Sequence, residues 1–142
     1  MASRPTKILY TAQATADGGR EGRVRSADGA VDLKLSPPVE MGGDGAGSNP
    51  EELFAAGYGA CFHSALGAVA RRAKTDVTGS SVTAKVGIGP TGDGGYGLAV
   101  ELVVALPGMA PEAARSLVEQ AHQVCPYSNA TRGNIDVTLT VA

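Results

Sequence analysis

The feature that most constrains the fold is a run of 18 residues, 53–70, that contains no Asp, Glu, Lys or Arg. Before this run, Asn49 is a good N-cap and Pro50 suits the first helical position, and basic residues follow the run. The pattern predicts one helix that reaches about Lys74 and is buried on nearly every side. Although the run approaches the length of a membrane span, its many small residues favour a buried helix without a membrane span.

Alternation of apolar and polar residues predicts strands on both sides of this helix. The other predicted segments are strands 7–14, 23–26 and 31–35, strands 81–89 and 96–106, a helix at 111–122 and a strand at 135–141. The order βββ-α-ββ-α-β lacks regular strand–helix alternation, so the class is α+β, with antiparallel sheets around a buried central helix. We expect a single domain over residues 1–142.

Charge and composition narrow the classes of partner. The net charge is −2, from 12 basic and 14 acidic residues that are interspersed along the chain. Because no basic patch with interleaved aromatic residues occurs, we expect no binding to nucleic acid. The first ten residues carry no apolar stretch long enough for a signal peptide, so we expect a cytoplasmic location. Two Cys and two His without close spacing predict no metal site.

The only cysteines are Cys61 and Cys125, which are 64 residues apart. If their sulfur atoms meet in the fold, thiol redox chemistry is expected. A structural disulfide is an alternative, and closing so long a loop contributes about 4 kcal/mol in the chain-entropy model; a reducing compartment argues against it. A third possibility is that both cysteines are inert core residues of a protein that carries acyl chains or other apolar ligands.

A nucleophilic Cys61 needs a nearby cation, because the thiolate is the reactive form. Cys61 lies about 17 Å along the helix from its N-terminus, too far for the helix dipole to lower the thiol pKa. Arg20, on a Gly-rich turn, is the candidate cation, and Glu51 is the candidate carboxylate that orients it. Arg20 as a solvated surface charge, and Glu51 as an ordinary residue of a helical first turn, are the alternatives.

The spacing of Glu51 and Cys61 raises a geometric problem. Ten residues separate them, about 15 Å along a straight helix, so they cannot share a site within one intact helix. Either Gly57 or Gly59 breaks the helix, or a second subunit supplies Glu51. We favour the second subunit. His63 lies two residues from Cys61 and points to another face, so we expect no catalytic role for it.

Three segments carry a resemblance to a known family. Residues 49–62 and 124–134, each containing one cysteine, closely resemble motifs of the organic hydroperoxide resistance (Ohr) branch of the OsmC/Ohr family. The turn at 18–22 is similar to that family's arginine loop. The resemblance covers nearly the whole chain. Glu52 stands where the family usually has Gln, and Gly59 where Ala or Ser is usual.

The resemblance implies an intertwined homodimer of OsmC/Ohr-like fold that reduces alkyl and fatty-acid hydroperoxides to alcohols. Cys61 would be the peroxidatic residue, passing through a sulfenic acid, and Cys125 would resolve it as a Cys61–Cys125 disulfide. Arg20 would hold the thiolate and Glu51 would orient Arg20. The family binds no cofactor and uses external dithiols of the lipoyl or dihydrolipoamide type, including lipoylated proteins.

Overall fold

The computed structural model describes residues 3–142, which divide into two compact units: the first ends at Leu53 and the second spans Phe54–Ala142. The predicted α+β class is confirmed, whereas the expectation of a single domain stays a prediction. Short 3-10 turns occupy Gly19–Glu21 and Val39–Met41. In chain order the elements are β1 (Ala14–Asp17), β2 (Arg23–Ser26), β3 (Asp32–Lys34), α1 (Pro50–Arg72), β4 (Ser81–Pro90), β5 (Tyr96–Ala105), α2 (Pro111–Val124), α3 (Pro126–Thr131) and β6 (Val137–Val141).

The first unit contains the predicted small antiparallel sheet, in the order β1-β2-β3. The hairpin between β2 and β3 turns at Asp28-Gly29, as the dipeptide predicts. Gly29 adopts φ 75°, and Asp28 Oδ1 accepts a hydrogen bond of 3.0 Å from the Ala30 amide. The turn therefore begins directly after Ser26 and fixes the end of β2.

The prediction of a strand over residues 7–14 is wrong, because β1 begins only at Ala14. Since β2 ends at Ser26, residues before Gln13 run past the end of their partner strand, and the last contact is the Ala27 amide bonded to the Gln13 carbonyl at 2.9 Å. This segment leaves three apolar side chains in solvent within one chain. They are Ile8, Leu9 and Tyr10, with 68%, 85% and 78% of their surfaces exposed.

The central helix α1 is unbroken over 23 residues and matches its local sequence signals. Asn49 Oδ1 caps it by accepting the Glu52 amide at 2.8 Å. The Glu52 carboxylate does not return to Asn49 but accepts the Ser48 hydroxyl at 3.1 Å. The helix ends at Arg72, two residues before the predicted end, because Lys74 turns into the left-handed region at φ 55°.

The expectation that α1 is buried on nearly every side is wrong within one chain. One face is buried, whereas Ala56, Ala60, His63 and Ser64 are exposed. By length and composition α1 is the one described helix that could cross a membrane, with mean hydropathy 1.3 over 18 residues. We assign it instead to the core, where its buried residues pack. They are Tyr58, Phe62, Ala65, Leu66, Val69 and Ala70.

The second unit contains a three-stranded sheet in the order β4-β5-β6. β4 and β5 form the predicted antiparallel hairpin, from Ser81 opposite Ala105 to Pro90 opposite Tyr96. The expectation that all sheets are antiparallel is wrong for the last pair, because β6 runs parallel to β5. The helices α2 and α3 form a crossover between these strands, which returns the chain in the same direction.

One apolar core joins α1, β5 and α2 within the second unit. The strand β5 contributes every second residue, and α2 contributes one helical face, as the periods of the two structures require. Their buried members are Val100, Leu102 and Val104 of β5 and Ala114, Leu117, Val118 and Ala121 of α2. The sequence prediction omitted α3, which Pro126 begins at the N1 position directly after α2.

Candidate functional site

The two cysteines lie together in the second unit. The sulfur atoms of Cys61 and Cys125 are 3.7 Å apart, and both residues are free thiols. Cys125 is completely buried, whereas Cys61 is partly exposed, so the burial expected on nearly every side of α1 is incomplete at Cys61. A partly exposed thiol beside a buried one is the arrangement needed if an external oxidant is to reach one sulfur first.

Helix geometry fixes the position of each sulfur. Cys61 lies in the middle of α1, beside the buried Tyr58 and Phe62. Cys125 is the single residue between α2 and α3, and its backbone is held from both sides. Its amide donates to the Ala121 carbonyl and its carbonyl accepts the Asn129 amide, both at 2.9 Å. The last turn of α2 and the first turn of α3 therefore aim the buried sulfur at α1.

The protonation of Cys61 is set by its burial and by its sulfur neighbour. Burial raises the pKa of the Cys61 thiol, and the nearby Cys125 thiol raises it further. The backbone amide of Tyr127, in the first turn of α3, acts in the opposite direction and lowers the pKa. The net pKa is above the ordinary thiol value, so Cys61 within one chain is mostly protonated at neutral pH.

Arg20 and Glu51 form a bidentate ion pair in the first unit. Arg20 Nη1 and Nη2 donate to the two Glu51 oxygens at 2.8 and 2.7 Å, and the Glu51 side chain is 13% exposed. The hydrogen bonds from Arg20 lower the pKa of Glu51, and those to Glu51 raise the pKa of Arg20, so both groups stay charged across the neutral range. Two forked bonds hold the guanidinium plane in one orientation.

The turn that carries Arg20 depends on glycine. Gly18 and Gly19 both have positive φ, 75° and 58°. At Gly22 an added Cβ would lie 1.7 Å from the Asp17 carbonyl oxygen. The Gly-rich sequence of residues 18–22 therefore permits the close return of the chain that presents Arg20.

Glu51 lies in the first turn of α1, ten residues before Cys61 on the same helix. The alternative in which Gly57 or Gly59 breaks the helix is wrong, because α1 continues through both. At 1.5 Å per residue the two positions are separated by about 15 Å of helix axis. The supply of Glu51 by a second subunit stays a prediction.

Three aromatic rings pack together where the part of α1 before Cys61 meets the first turn of α3. Tyr127 packs against Phe54 and Tyr58, with ring centroids 6.0 and 5.7 Å apart. The Tyr127 ring also lies against Gly57, where an added Cβ would be 2.8 Å from the phenol oxygen. Glycine at this position, one helical turn before Cys61, therefore lets the ring approach the helix.

A buried chain of hydroxyls links α1 to α3, and it was not predicted from the sequence. Tyr58 Oη is 2.8 Å from Ser128 Oγ and 3.2 Å from Thr131 Oγ1, and His122 Nδ1 is 2.8 Å from Ser128 Oγ. Burial lowers the pKa of His122, and the charge of Arg132 lowers it further. The sequence signal that could have located this chain is the Cys-Pro pair, which starts α3 and orders its hydroxyls.

The other histidine lies apart from these contacts. His63 is exposed, and its Nε2 is 3.0 Å from Ser80 Oγ, consistent with a position on another face of α1 from Cys61. Within residues 3–142, no three metal-ligating side chains converge. No residue of the described chain is therefore assigned as a metal ligand.

Comparison with known proteins gives consistent matches. The family model for OsmC-like protein matches residues 42–140. The organic hydroperoxide resistance protein of Xanthomonas axonopodis pv. citri (strain 306) is 60% identical over 140 residues, covering 97% of this chain and 98% of its own.

Solved structures agree with the sequence match. A crystal structure of an organic hydroperoxide resistance protein from Elizabethkingia anophelis, with crystallant-derived thiocyanate bound, has TM-score 0.91 and 54% identity, covering 96% and 99% of the two chains. The crystal structure of the organic hydroperoxide resistance protein OhrB of Bacillus subtilis has TM-score 0.87 and 43% identity, covering 95% of this chain and all of that one.

Proposed function

This chain belongs to the organic hydroperoxide resistance branch of the OsmC family, and on that premise we propose that it is a thiol peroxidase that reduces organic hydroperoxides to alcohols. The observation that carries the proposal is the pair of free sulfur atoms 3.7 Å apart, one partly exposed and one buried. A carrier of apolar ligands needs no such pair. Relatives named for organic hydroperoxide resistance support a role in the same resistance.

The proposed reaction uses both sulfurs in turn. The Cys61 thiolate attacks the distal oxygen of the hydroperoxide, the O–O bond breaks, and the alkoxide leaves and takes a proton to become the alcohol. Cys61 is then a sulfenic acid. The Cys125 thiol attacks this sulfur and expels water, forming the Cys61–Cys125 disulfide. An external dithiol reduces the disulfide by exchange and becomes a cyclic disulfide itself.

Activation of Cys61 requires a cation, since burial raises the pKa of its thiol. We assign this role to Arg20, with Glu51 as the residue that orients the guanidinium. A positive charge beside the sulfur favours the thiolate and also stabilises the departing alkoxide. Because Glu51 precedes Cys61 by about 15 Å on an unbroken helix, we assign the Arg20–Glu51 pair to the Cys61 of a second copy of the chain.

Two surfaces support a homodimer as part of this proposal. Ile8, Leu9 and Tyr10 lie mostly in solvent within one chain and follow no partner strand. The exposed side of α1 carries small residues, including Ala56 and Ala60, which permit close approach of another element. Both surfaces lose apolar exposure if a second copy packs against them.

The proposed substrates are alkyl and fatty-acid hydroperoxides. The rings of Phe54 and Tyr127 lie on the Cys61 side of α1, and both are incompletely buried. Apolar rings on the same side of α1 as Cys61 favour an organic peroxide over hydrogen peroxide, which has no apolar part to bury.

The proposed reductant is an external dithiol of the lipoyl or dihydrolipoamide type, free or on a lipoylated protein, and no bound cofactor takes part. A dithiol suits the buried Cys125, because its second thiol completes the reduction without a second encounter. The cysteines must return to free thiols after every turnover, so a reducing compartment, the cytoplasm, belongs to the same proposal.

The test is a peroxidase assay on the purified protein. With dihydrolipoamide as reductant, we expect wild type to consume tert-butyl hydroperoxide catalytically and a Cys61→Ser variant to lose this activity by at least a hundredfold, because the nucleophile is gone. His63→Asn serves as the control, since this exposed residue lies outside the proposed site. A Cys61→Ser protein that retains full activity would refute the peroxidase proposal and favour the apolar carrier.

A further inference from the structure

A buried chain of hydrogen bonds links the elements that carry the two cysteines. Building on the proposed peroxidase function, we propose that Tyr58, Ser128 and His122 are positioning residues that hold Cys125 beside Cys61 and so determine how readily the two sulfurs join. None of the three contacts the sulfurs as a reactant. They act through the backbone of the helices that carry them, which are α1 for Tyr58, α2 for His122 and α3 for Ser128.

The positions of Tyr58 and Ser128 relative to the two cysteines suit them to this role. Tyr58 precedes Cys61 by three residues on α1, and Ser128 follows Cys125 by three residues on α3, so each lies one helical turn from its cysteine. The 2.8 Å hydrogen bond between Tyr58 and Ser128 therefore links α1 to α3, and the 3.7 Å sulfur contact links α1 to the residue directly before α3. Both hydroxyl residues are completely buried.

Each hydroxyl has only one proton to donate, and this fixes the donor in every one of these hydrogen bonds. The Ser128 carbonyl can only accept, so its 3.1 Å contact uses the Thr131 hydroxyl proton. Thr131 Oγ1 can then only accept from Tyr58, at 3.2 Å, and Tyr58 in turn can only accept from Ser128. Ser128 is left to accept from His122. All four contacts are hydrogen bonds together only when His122 Nδ1 carries a proton.

The surroundings of His122 favour a neutral imidazole, whose single ring proton then lies on Nδ1. Burial lowers its pKa, as does the neighbouring Arg132, while Glu119 acts in the opposite direction and raises it. Arg132 also donates to the His122 carbonyl at 2.6 Å, which ties the end of α2 to the segment after α3. A neutral imidazole with its proton on Nδ1 donates into the chain and leaves Nε2 as an acceptor.

Joining the sulfurs requires a small movement that this chain limits. A disulfide bond is about 2.05 Å long, so sulfurs 3.7 Å apart must approach by about 1.7 Å. While these hydrogen bonds are intact, α3 keeps the Cys125 sulfur close enough to Cys61 for this movement. When they are removed, α3 samples more positions, and the sulfurs meet for a smaller fraction of the time.

The experiment measures the effective concentration of the cysteine pair in glutathione redox buffers, in which glutathione disulfide oxidises the two thiols and is released as two glutathione molecules. We expect Tyr58→Phe and Ser128→Ala each to lower the effective concentration about fivefold to tenfold, the size of one lost hydrogen bond. His122→Leu should give a similar loss, and His122→Asn should restore most of it, because its amide can donate from the position of Nδ1. His63→Asn, the same change at the exposed histidine, should leave the value unchanged.

Circular dichroism and thermal unfolding identify the variants that remain folded, and Tyr58→Phe keeps the ring packing while it removes one oxygen. An unchanged effective concentration in folded Tyr58→Phe and Ser128→Ala would overturn the inference. So would a ¹⁵N spectrum of wild type showing the His122 proton on Nε2. No peroxide is used, so a wild type that fails to consume hydroperoxide would reject the proposed function separately.

Discussion

At the scale of single residues, the central question is how the partly buried Cys61 thiol becomes a thiolate. Burial raises the pKa of Cys61, and the described neighbours within one chain offset this only through the Tyr127 amide. The two forked hydrogen bonds to Glu51 hold the Arg20 guanidinium, which carries the positive charge, in one orientation. Because Arg20 lowers the pKa of Glu51, the pair persists above the ordinary Glu pKa and is lost only as pH falls through the lowered value.

We expect Arg20→Ala to raise the pKa of Cys61 in the assembled protein, because the thiolate loses its opposite charge. The pKa is read from the rate of iodoacetamide alkylation as a function of pH. Arg23→Ala is the matched control: Arg23 also forms an ion pair in the first unit, with Asp32 at 2.6 Å, but it is 60% exposed. A pH profile that is the same for Arg20→Ala and wild type would remove Arg20 from the mechanism.

At the scale of elements, α1 shows how two glycines in one helix have different functions. A Cβ at Gly59 would meet the Val82 carbonyl oxygen at 3.6 Å, an ordinary contact. A Cβ at Gly57 would meet the Tyr127 ring at 2.8 to 3.2 Å, so the ring must move. The same substitution therefore tests helix propensity at one position and ring packing at the other.

We expect Gly59→Ala to stabilise the protein by about 0.5–1 kcal/mol, since alanine loses less entropy in a helix. Gly57→Ala should forfeit this gain and end about 1 kcal/mol or more less stable than Gly59→Ala, because the Tyr127 ring is displaced. Urea unfolding midpoints provide the comparison. Equal stability of the two variants would show that the Tyr127 ring does not depend on Gly57.

The elements that the sequence predicts well are those with local signals. The start of α1 follows from Asn49 and Pro50, and the β2–β3 turn from Asp28-Gly29, because each depends on neighbouring backbone atoms only. The strand expected at 7–14 contains the apolar residues Ile8, Leu9 and Tyr10, but pairing needs a partner, and β2 has already ended. The parallel direction of β6 depends on the crossover through α2 and α3, which strand patterning does not encode.

In the candidate site, too, the sequence predicts some features and not others. The motifs single out Cys61, Cys125, Arg20 and Glu51, since cysteines are rare here and the glycines around Arg20 are conspicuous. The hydroxyl chain could not be predicted, because Ser128 is an ordinary residue until α3 turns its side chain inward. Reactive residue types are visible in a sequence, whereas the contacts that position them arise from tertiary packing.

At the scale of the whole molecule, the distance along α1 between Glu51 and Cys61 predicts an assembly of two chains. If Arg20 of one copy serves Cys61 of the other, an Arg20→Ala chain and a Cys61→Ser chain should each form homodimers of low activity. Mixed dimers should regain about half of the wild-type activity, because one of their two sites then holds both intact residues. Activity is measured after the two chains are unfolded together and refolded. No recovery in confirmed mixed dimers would place both residues in one chain.

The unequal burial of the two sulfurs also bears on how such a molecule fails. Oxidation beyond the sulfenic acid gives sulfinic and sulfonic acids, which thiols do not reverse. Cys125 has no exposed surface, so that damage falls on Cys61 alone, the partly exposed sulfur. If the proposed peroxidase receives excess peroxide, we therefore expect every inactivated chain to be oxidised at the Cys61 sulfur and to keep an intact Cys125 thiol. The fraction of Cys61 found as sulfinic or sulfonic acid would then record past exposure to peroxide.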